Sequence, residues 1–224
     1  MLNKLEQTQY QGIQVTIKRS RRKSCAFKVN NGTIEVFAPT WYPTFEIMRA
    51  LDAKQDYIFK HLANPLKKAS FQWENGETVY VLGEPYTLVK ADAKKGSVSI
   101  EGNKIIIAAP SENAAMNAYK KFATGILDEL LDIFRAELKE DVGDYGLSYR
   151  FYTGRWGCCA TKKREVVINL WCVGLPEEGI RYVFYHELAH LQVANHSKAF
   201  YQRLQQLWPD YKRGLKITKT YTIK

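Results

Sequence analysis

Three of the four histidines in this 224-residue chain fall within one stretch, YHELAHLQVANHSKAFYQ, at His186, His190 and His196. The apolar residues around the first two, Ile180, Val183, Phe184, Leu188 and Leu191, recur at helical spacing and predict a helix near 176–193. Residues four apart on a helix lie about 40° apart around its axis. His186 and His190 therefore project from one flank, one turn apart. That spacing suits two nitrogen ligands of a single tetrahedral Zn²⁺. Glu187 falls toward the apolar stripe by the same geometry. A buried carboxylate is expensive unless it is paired. A position beside a metal-activated water resolves that cost, with Glu187 as general base.

His196 is the candidate third ligand, past the end of that helix. Asn195 is expected to supply a left-handed residue that reverses the chain. Ser197 is expected to cap a second helix near 197–208, striped by Phe200, Leu204, Leu207 and Trp208 and followed by Pro209. Three protein ligands leave the fourth position of one zinc ion for water, which is the pattern of catalytic zinc sites.

The chain carries 33 Lys plus Arg against 23 Asp plus Glu, a net charge of +10. That excess favours an anionic partner such as a nucleotide or nucleic acid. The densest basic run, Lys18, Arg19, Arg21, Arg22 and Lys23, is the candidate anion contact; its other reading is the solvated edge of a sheet. The four cysteines, Cys25, Cys158, Cys159 and Cys172, form no disulfide framework, so a reducing, cytoplasmic setting is expected. Cys158 and Cys159 read as small packing residues. The N-terminal residues lack the apolar core of a signal peptide, and no run of about 18 apolar residues occurs, so no membrane span is expected.

Residues 12–18 alternate as a strand, and Asn31-Gly32 marks a hairpin between Phe27/Val29 and Ile34/Val36. One helix is expected over 43–65 and two hairpin-like stretches over 77–109. A long helix over 111–141 follows, capped by Ser111, then strands at LSYRFYT and EVVINLW. No internal repeat is evident. The fold class is α+β: a β-rich N-terminal lobe over 1–110 with one helix, then a zincin-like, minimal gluzincin helix–strand–helix core over 111–224. EVVINLW is a candidate edge strand for an extended substrate. Arg155 and Trp156 are candidate cleft residues, Trp156 also reading as core. Arg155, Tyr201 and Tyr211 lie near enough to the motif in sequence to be candidates for transition-state stabilisation.

The C-terminal pattern, Trp156-Gly157-Cys158-Cys159-Ala160, Asn169, His186-Glu187-Leu188-Ala189-His190-Leu191, Asn195-His196-Ser197, Phe200 and Pro209-Asp210-Tyr211, resembles the YgjP-like family of metal-dependent hydrolases. These are gluzincin-like proteins related to the SprT and WLM groups. The N-terminal half resembles the family as well, in the basic strand, the Asn-Gly hairpin and LGEPYTL. The resemblance implies zinc on His186, His190 and His196 and a catalytic Glu187; Asn169 is a further candidate cleft residue. Cys158 and Ala160 stand where the family usually has Ser. Metzincins share the histidine spacing, but Val193 replaces their Gly and every Met lies upstream, so no Met-turn follows. The expected activity is zinc-dependent hydrolysis of peptides. The alternatives are a nucleoside triphosphate pyrophosphatase, a nucleic-acid-associated protease, and a zinc-stabilised interaction module without activity.

Overall fold

The computed structural model describes residues 5–30, 32–63 and 67–223. The chain divides into two compact units, Met1–Leu66 and Lys67–Lys224, each with its own apolar core.

The first unit begins with β1 (Leu5–Tyr10), β2 (Ile13–Ser20), β3 (Ala26–Asn30) and β4 (Thr33–Pro39), in the spatial order β1-β2-β4-β3. Two antiparallel hairpins thus sit side by side, joined by parallel pairing of β2 with β4. Gln11 and Gly12 both have positive φ, 48° and 81°, the signature of a type I′ turn. Asn30 opposes Thr33 across the second hairpin; Asn31 lies outside the described residues. Strand alternation turns Val15, Ile17, Ile34 and Val36 to one face. They share a buried cluster with Ile47, Leu51 and Ile58 of α1 (Thr44–Asp52) and α2 (Gln55–Ala63).

The single helix expected over 43–65 is therefore two. Ala53 and Lys54 form a turn, their N–H groups donating to the Arg49 and Leu51 carbonyls. The stripe Ile47, Leu51, Ile58 stays in phase across the break, so periodicity does not register it. Pro65 lies outside the described residues.

The basic run does not end an edge strand, since β2 is interior. Arg19 is buried at 7% exposure. Its guanidinium donates to Glu6, the Pro39 and Tyr42 carbonyls and Thr44 Oγ1. The fold thus uses Arg19 internally instead of presenting it to an anion. Lys18 pairs with Glu35 at 2.7 Å.

The second unit contains β5 (Lys67–Lys68), β6 (Thr78–Val81), β7 (Glu84–Ala91), β8 (Ser97–Glu101) and β9 (Lys104–Ala108). The order β6-β7-β9-β8, with β7 and β9 parallel, repeats the arrangement of the first sheet. Even the first turn matches, with Leu82 and Gly83 at φ 51° and 87°. The strand order therefore does repeat, although sequence inspection shows no repeat. α3 (Glu112–Ala136) follows, with Ser111 Oγ accepting the Ala114 N–H as expected of its cap. Tyr119, Ala123, Leu127 and Leu131 of α3 share one core with Leu88, Ile105 and Ile107 of this sheet. That shared core is why the units divide between residues 66 and 67, whereas the sequence reading put the boundary at 110/111.

The rest of the second unit is β10 (Gly146–Arg150), β11 (Gly157–Ala160), β12 (Glu165–Asn169), α4 (Glu177–His190), α5 (Lys198–Leu207), α6 (Tyr211–Thr218) and β13 (Tyr221–Thr222), the last pairing with β5. The order strand, HExxH helix, second helix is the one the sequence predicts, and the α+β class holds. β12 is not an edge: the sheet runs β10-β12-β11, and β11 is the outer strand that packs on α4. A Cβ at Gly214 of α6 would lie 2.4 Å from the Glu178 carbonyl and 2.5 Å from Tyr182 Cβ. Gly214 thus lets α6 cross α4 at backbone contact. No helix among the described residues is long and apolar enough to cross a membrane.

Candidate metal centre

α4 holds Ile180, Phe184, Leu188 and Ala189 in the core. Its His186 and His190 are half-buried on the flank, and His196 lies in the connection to α5. The three Nε2 atoms converge: His196 Nε2 is 3.0 Å from that of His186 and 3.2 Å from that of His190. Nitrogens bound tetrahedrally to one Zn²⁺ at about 2.0–2.1 Å sit roughly 3.3 Å apart, so this donor set fits one ion. Among the described residues this is the one such group of three or more candidate metal-binding side chains.

The far nitrogens of the two helical imidazoles are anchored. His190 Nδ1 is 2.9 Å from the Val193 carbonyl, an acceptor only, which places the proton on Nδ1 and leaves Nε2 a free lone pair. His186 Nδ1 is 3.2 Å from the Tyr182 hydroxyl, one turn back on α4. Burial and the neighbouring imidazoles push His186 down to about 3 and also lower His190. Both rings are thus neutral at physiological pH, the form that binds metal. Behind them, the Phe200 ring of α5 packs on all three imidazoles, with centroids 4.8, 4.4 and 4.8 Å away.

Asn195 does not adopt the left-handed conformation expected of it; among the described residues the non-Gly positions with positive φ are Gln11, Trp73, Leu82 and Arg164. Its side chain turns the chain instead, Oδ1 accepting the Ser197 N–H at 3.2 Å. Ser197 occupies the N-cap of α5 but makes no side-chain cap bond.

Glu187 is 5% exposed, where the helical phase puts it. Burial pushes its carboxyl up to about 8, opposed by Arg155. Strand β11 passes directly over it. A Cβ at Gly157 would lie 2.8 Å from Glu187 Oε1 and 2.9 Å from Cγ. Only glycine lets β11 approach this carboxylate so closely.

A cavity of about 360 Å³ opens on this side, lined by His186, Glu187, Arg155, Trp156, Tyr182 and Leu215 among others. Trp156 both lines it and packs against the core. Asn169 is fully buried and does not line it. Its Nδ2 donates to the Tyr152 and Arg155 carbonyls, and its Oδ1 accepts the Tyr152 and Trp171 N–H groups. Asn169 thus pins the loop that carries Arg155. Tyr201 and Tyr211 stack 6.3 Å apart outside this cavity, Tyr201 exposed and Tyr211 buried. Cys159 and Cys172 are thiols whose pKa burial raises, with the Glu187 charge adding to the effect.

Sequence reasoning missed Tyr182, Gly157 and Phe200 as parts of the site. Tyr182 had a legible signal, lying four residues before His186 on the same helical flank. Phe200 reads as an apolar stripe position, and it and Gly157 enter the family pattern without a role of their own.

The buried carboxylate beside three converging imidazoles, within a metallopeptidase family, defines a metal-dependent hydrolase. A model of the YgjP-like metallopeptidase domain matches residues 23–220, and the chain belongs to that family. Among solved structures, the metallopeptidase zymogen of Pyrococcus abyssi abylysin is 17% identical. That match covers 46% of this chain and 99% of that one, at a TM-score of 0.32. The zymogen of Methanocaldococcus jannaschii jannalysin is 19% identical over 43% of this chain and 94% of that one, at 0.31. Neither likeness is close enough to carry an argument. The comparison with curated proteins found no match.

Proposed function

We propose that the chain is a zinc-dependent peptidase, with one Zn²⁺ on Nε2 of His186, His190 and His196 and with Glu187 as general base. The observation that carries this reading is the convergence of three imidazole nitrogens next to a buried carboxylate. When bound, zinc supplies Lewis acidity toward a scissile carbonyl and brings the pKa of a water toward neutrality. In its ionised form, which Arg155 favours and a bound cation would favour further, Glu187 takes a proton from the attacking water and returns it to the leaving amine. The Val193 carbonyl and the Tyr182 hydroxyl hold the two helical imidazoles with Nε2 toward the ion. β11 is the outer strand beside Glu187 and offers its free edge to an extended peptide. This role passes to Gly157–Ala160 from β12, which is central.

The test is elemental analysis of protein purified without added metal, followed by assay on a mixed set of peptides before and after chelation. The expected result is about one zinc per chain, with peptide cleavage lost on chelation and restored by zinc. Release of pyrophosphate from nucleoside triphosphates without cleavage of any peptide would replace this reading with the nucleotide pyrophosphatase.

Gly157→Ala tests the close approach. Glycine's φ here is not positive, so alanine fits the backbone and the conflict lies with the Glu187 carboxylate alone. A shift of about 1 Å at a catalytic group costs on the order of 100-fold. The variant is expected to lose that much in kcat while keeping its metal. An unchanged kcat would mean that the strand yields and Glu187 stays in place.

A further inference from the structure

The cavity beside Glu187 has a mixed character that the hydrolytic reaction itself does not require. Trp156, Tyr182 and Leu215 make an apolar wall, and Arg155 and Lys219 bring two cationic side chains to the same space. Both are exposed, and neither forms an ion pair among the described residues. Arg155 is also held in place. Its carbonyl accepts from Asn169 Nδ2 at 2.7 Å, and its guanidinium lies 5.5 Å from the Tyr152 ring centroid. The Lys219 main chain is held at the end of α6, its N–H donating to the Leu215 carbonyl. Two cations carried on separate elements and lining one partly apolar cavity suit an anion attached to an apolar stem.

We propose that this cavity binds a carboxylate of the substrate between Arg155 and Lys219, so that cleavage falls next to an acidic side chain or next to a free peptide C-terminus. The inference rests on the peptidase reading and names its substrate class. The carboxylate is the shared chemistry of both sources. At a partly exposed site, two such contacts discriminate by about 10-fold against a neutral isostere.

Four peptides test it on the zinc-loaded full chain: one pair differing only as Glu against Gln beside the scissile bond, the other only as C-terminal acid against amide. Each is measured for kcat/KM and, separately, for Kd. The acid member of one pair is expected to lead its twin by about 10-fold in both quantities. The Glu/Gln pair reports a side-chain carboxylate and the acid/amide pair a terminal one. In an Arg155→Gln/Lys219→Gln double variant the ratio is expected to fall to about one. Equal values within both pairs overturn the inference even where cleavage is fast, and so does a preference that survives in the double variant, because the carboxylate would then be held by something else. Should no peptide be cleaved, the peptidase reading fails, and the Kd ratios still decide whether the cavity selects a carboxylate.

Discussion

Exchanging Glu187 for Gln is expected to leave a folded, metal-loaded protein whose peptide turnover falls about 10²–10⁴-fold. The exchange is nearly isosteric, which matters under β11, where Glu187 has no room to gain volume beside Gly157. It also replaces a carboxyl whose charged form burial already disfavours with a permanently neutral group. No desolvation penalty is added, so thermal stability is expected to equal or exceed that of the wild type. The two helical imidazoles keep their anchors, since neither Tyr182 nor the Val193 carbonyl contacts the exchanged atom by hydrogen bond. The glutamine has no basic oxygen of comparable strength, so the proton step alone is lost. Steady-state kinetics, elemental analysis and a melting curve on the same sample separate these effects. Turnover at the wild-type rate would end the general-base assignment. Metal lost together with turnover would make Glu187 a structural part of the centre.

What the sequence displays of this site is what helical geometry can carry. His186, Glu187 and His190 sit within one turn of α4, so their relative directions follow from 100° per residue, and the burial of Glu187 follows too. The same logic reaches Tyr182. It fails where a residue acts across distant elements. Gly157 lies thirty positions before Glu187 and matters because a four-residue strand passes over the helix. GCCA has neither the length nor the alternation that announces a strand. α6 was hidden for a related reason: Gly214 reads as a helix breaker, yet it is the contact by which α6 crosses α4. Register and partner choice were equally hidden. EVVINLW announces a strand, but its two neighbours, which make it central, come from separate stretches of chain. The repeated hairpin pair escaped notice because β1, LEQTQY, has no apolar alternation, so half of the first hairpin leaves no local trace.

His196→Ala is expected to abolish stable metal binding while sparing the fold. His196 is exposed and lies in the connection between α4 and α5. Its removal takes from the core only the ring that covers one side of Phe200, and a substitution at an exposed position typically moves stability by no more than about 0.5 kcal/mol. The metal-free variant should therefore melt with the metal-free wild type. Removing even an outer partner of a metal-binding histidine costs about 10–100-fold in affinity, so loss of a direct ligand is expected to exceed that range. A ligand that binds only the folded state stabilises it by RT ln(1 + [L]/Kd), about 2.7 kcal/mol at 100 times Kd. Zinc at that level should raise the melting temperature of the wild type clearly and that of the variant hardly at all. Elemental analysis after dialysis should find near-stoichiometric zinc in the first and little in the second. The Phe200 ring makes the comparison stringent, because it packs on His186 and His190 independently of His196 and keeps that pair ordered in the variant. A variant that retained a full equivalent of zinc and the full thermal shift would show that two histidines suffice, and the third nitrogen at 3.0 and 3.2 Å would then be a neighbour of the centre and not a ligand.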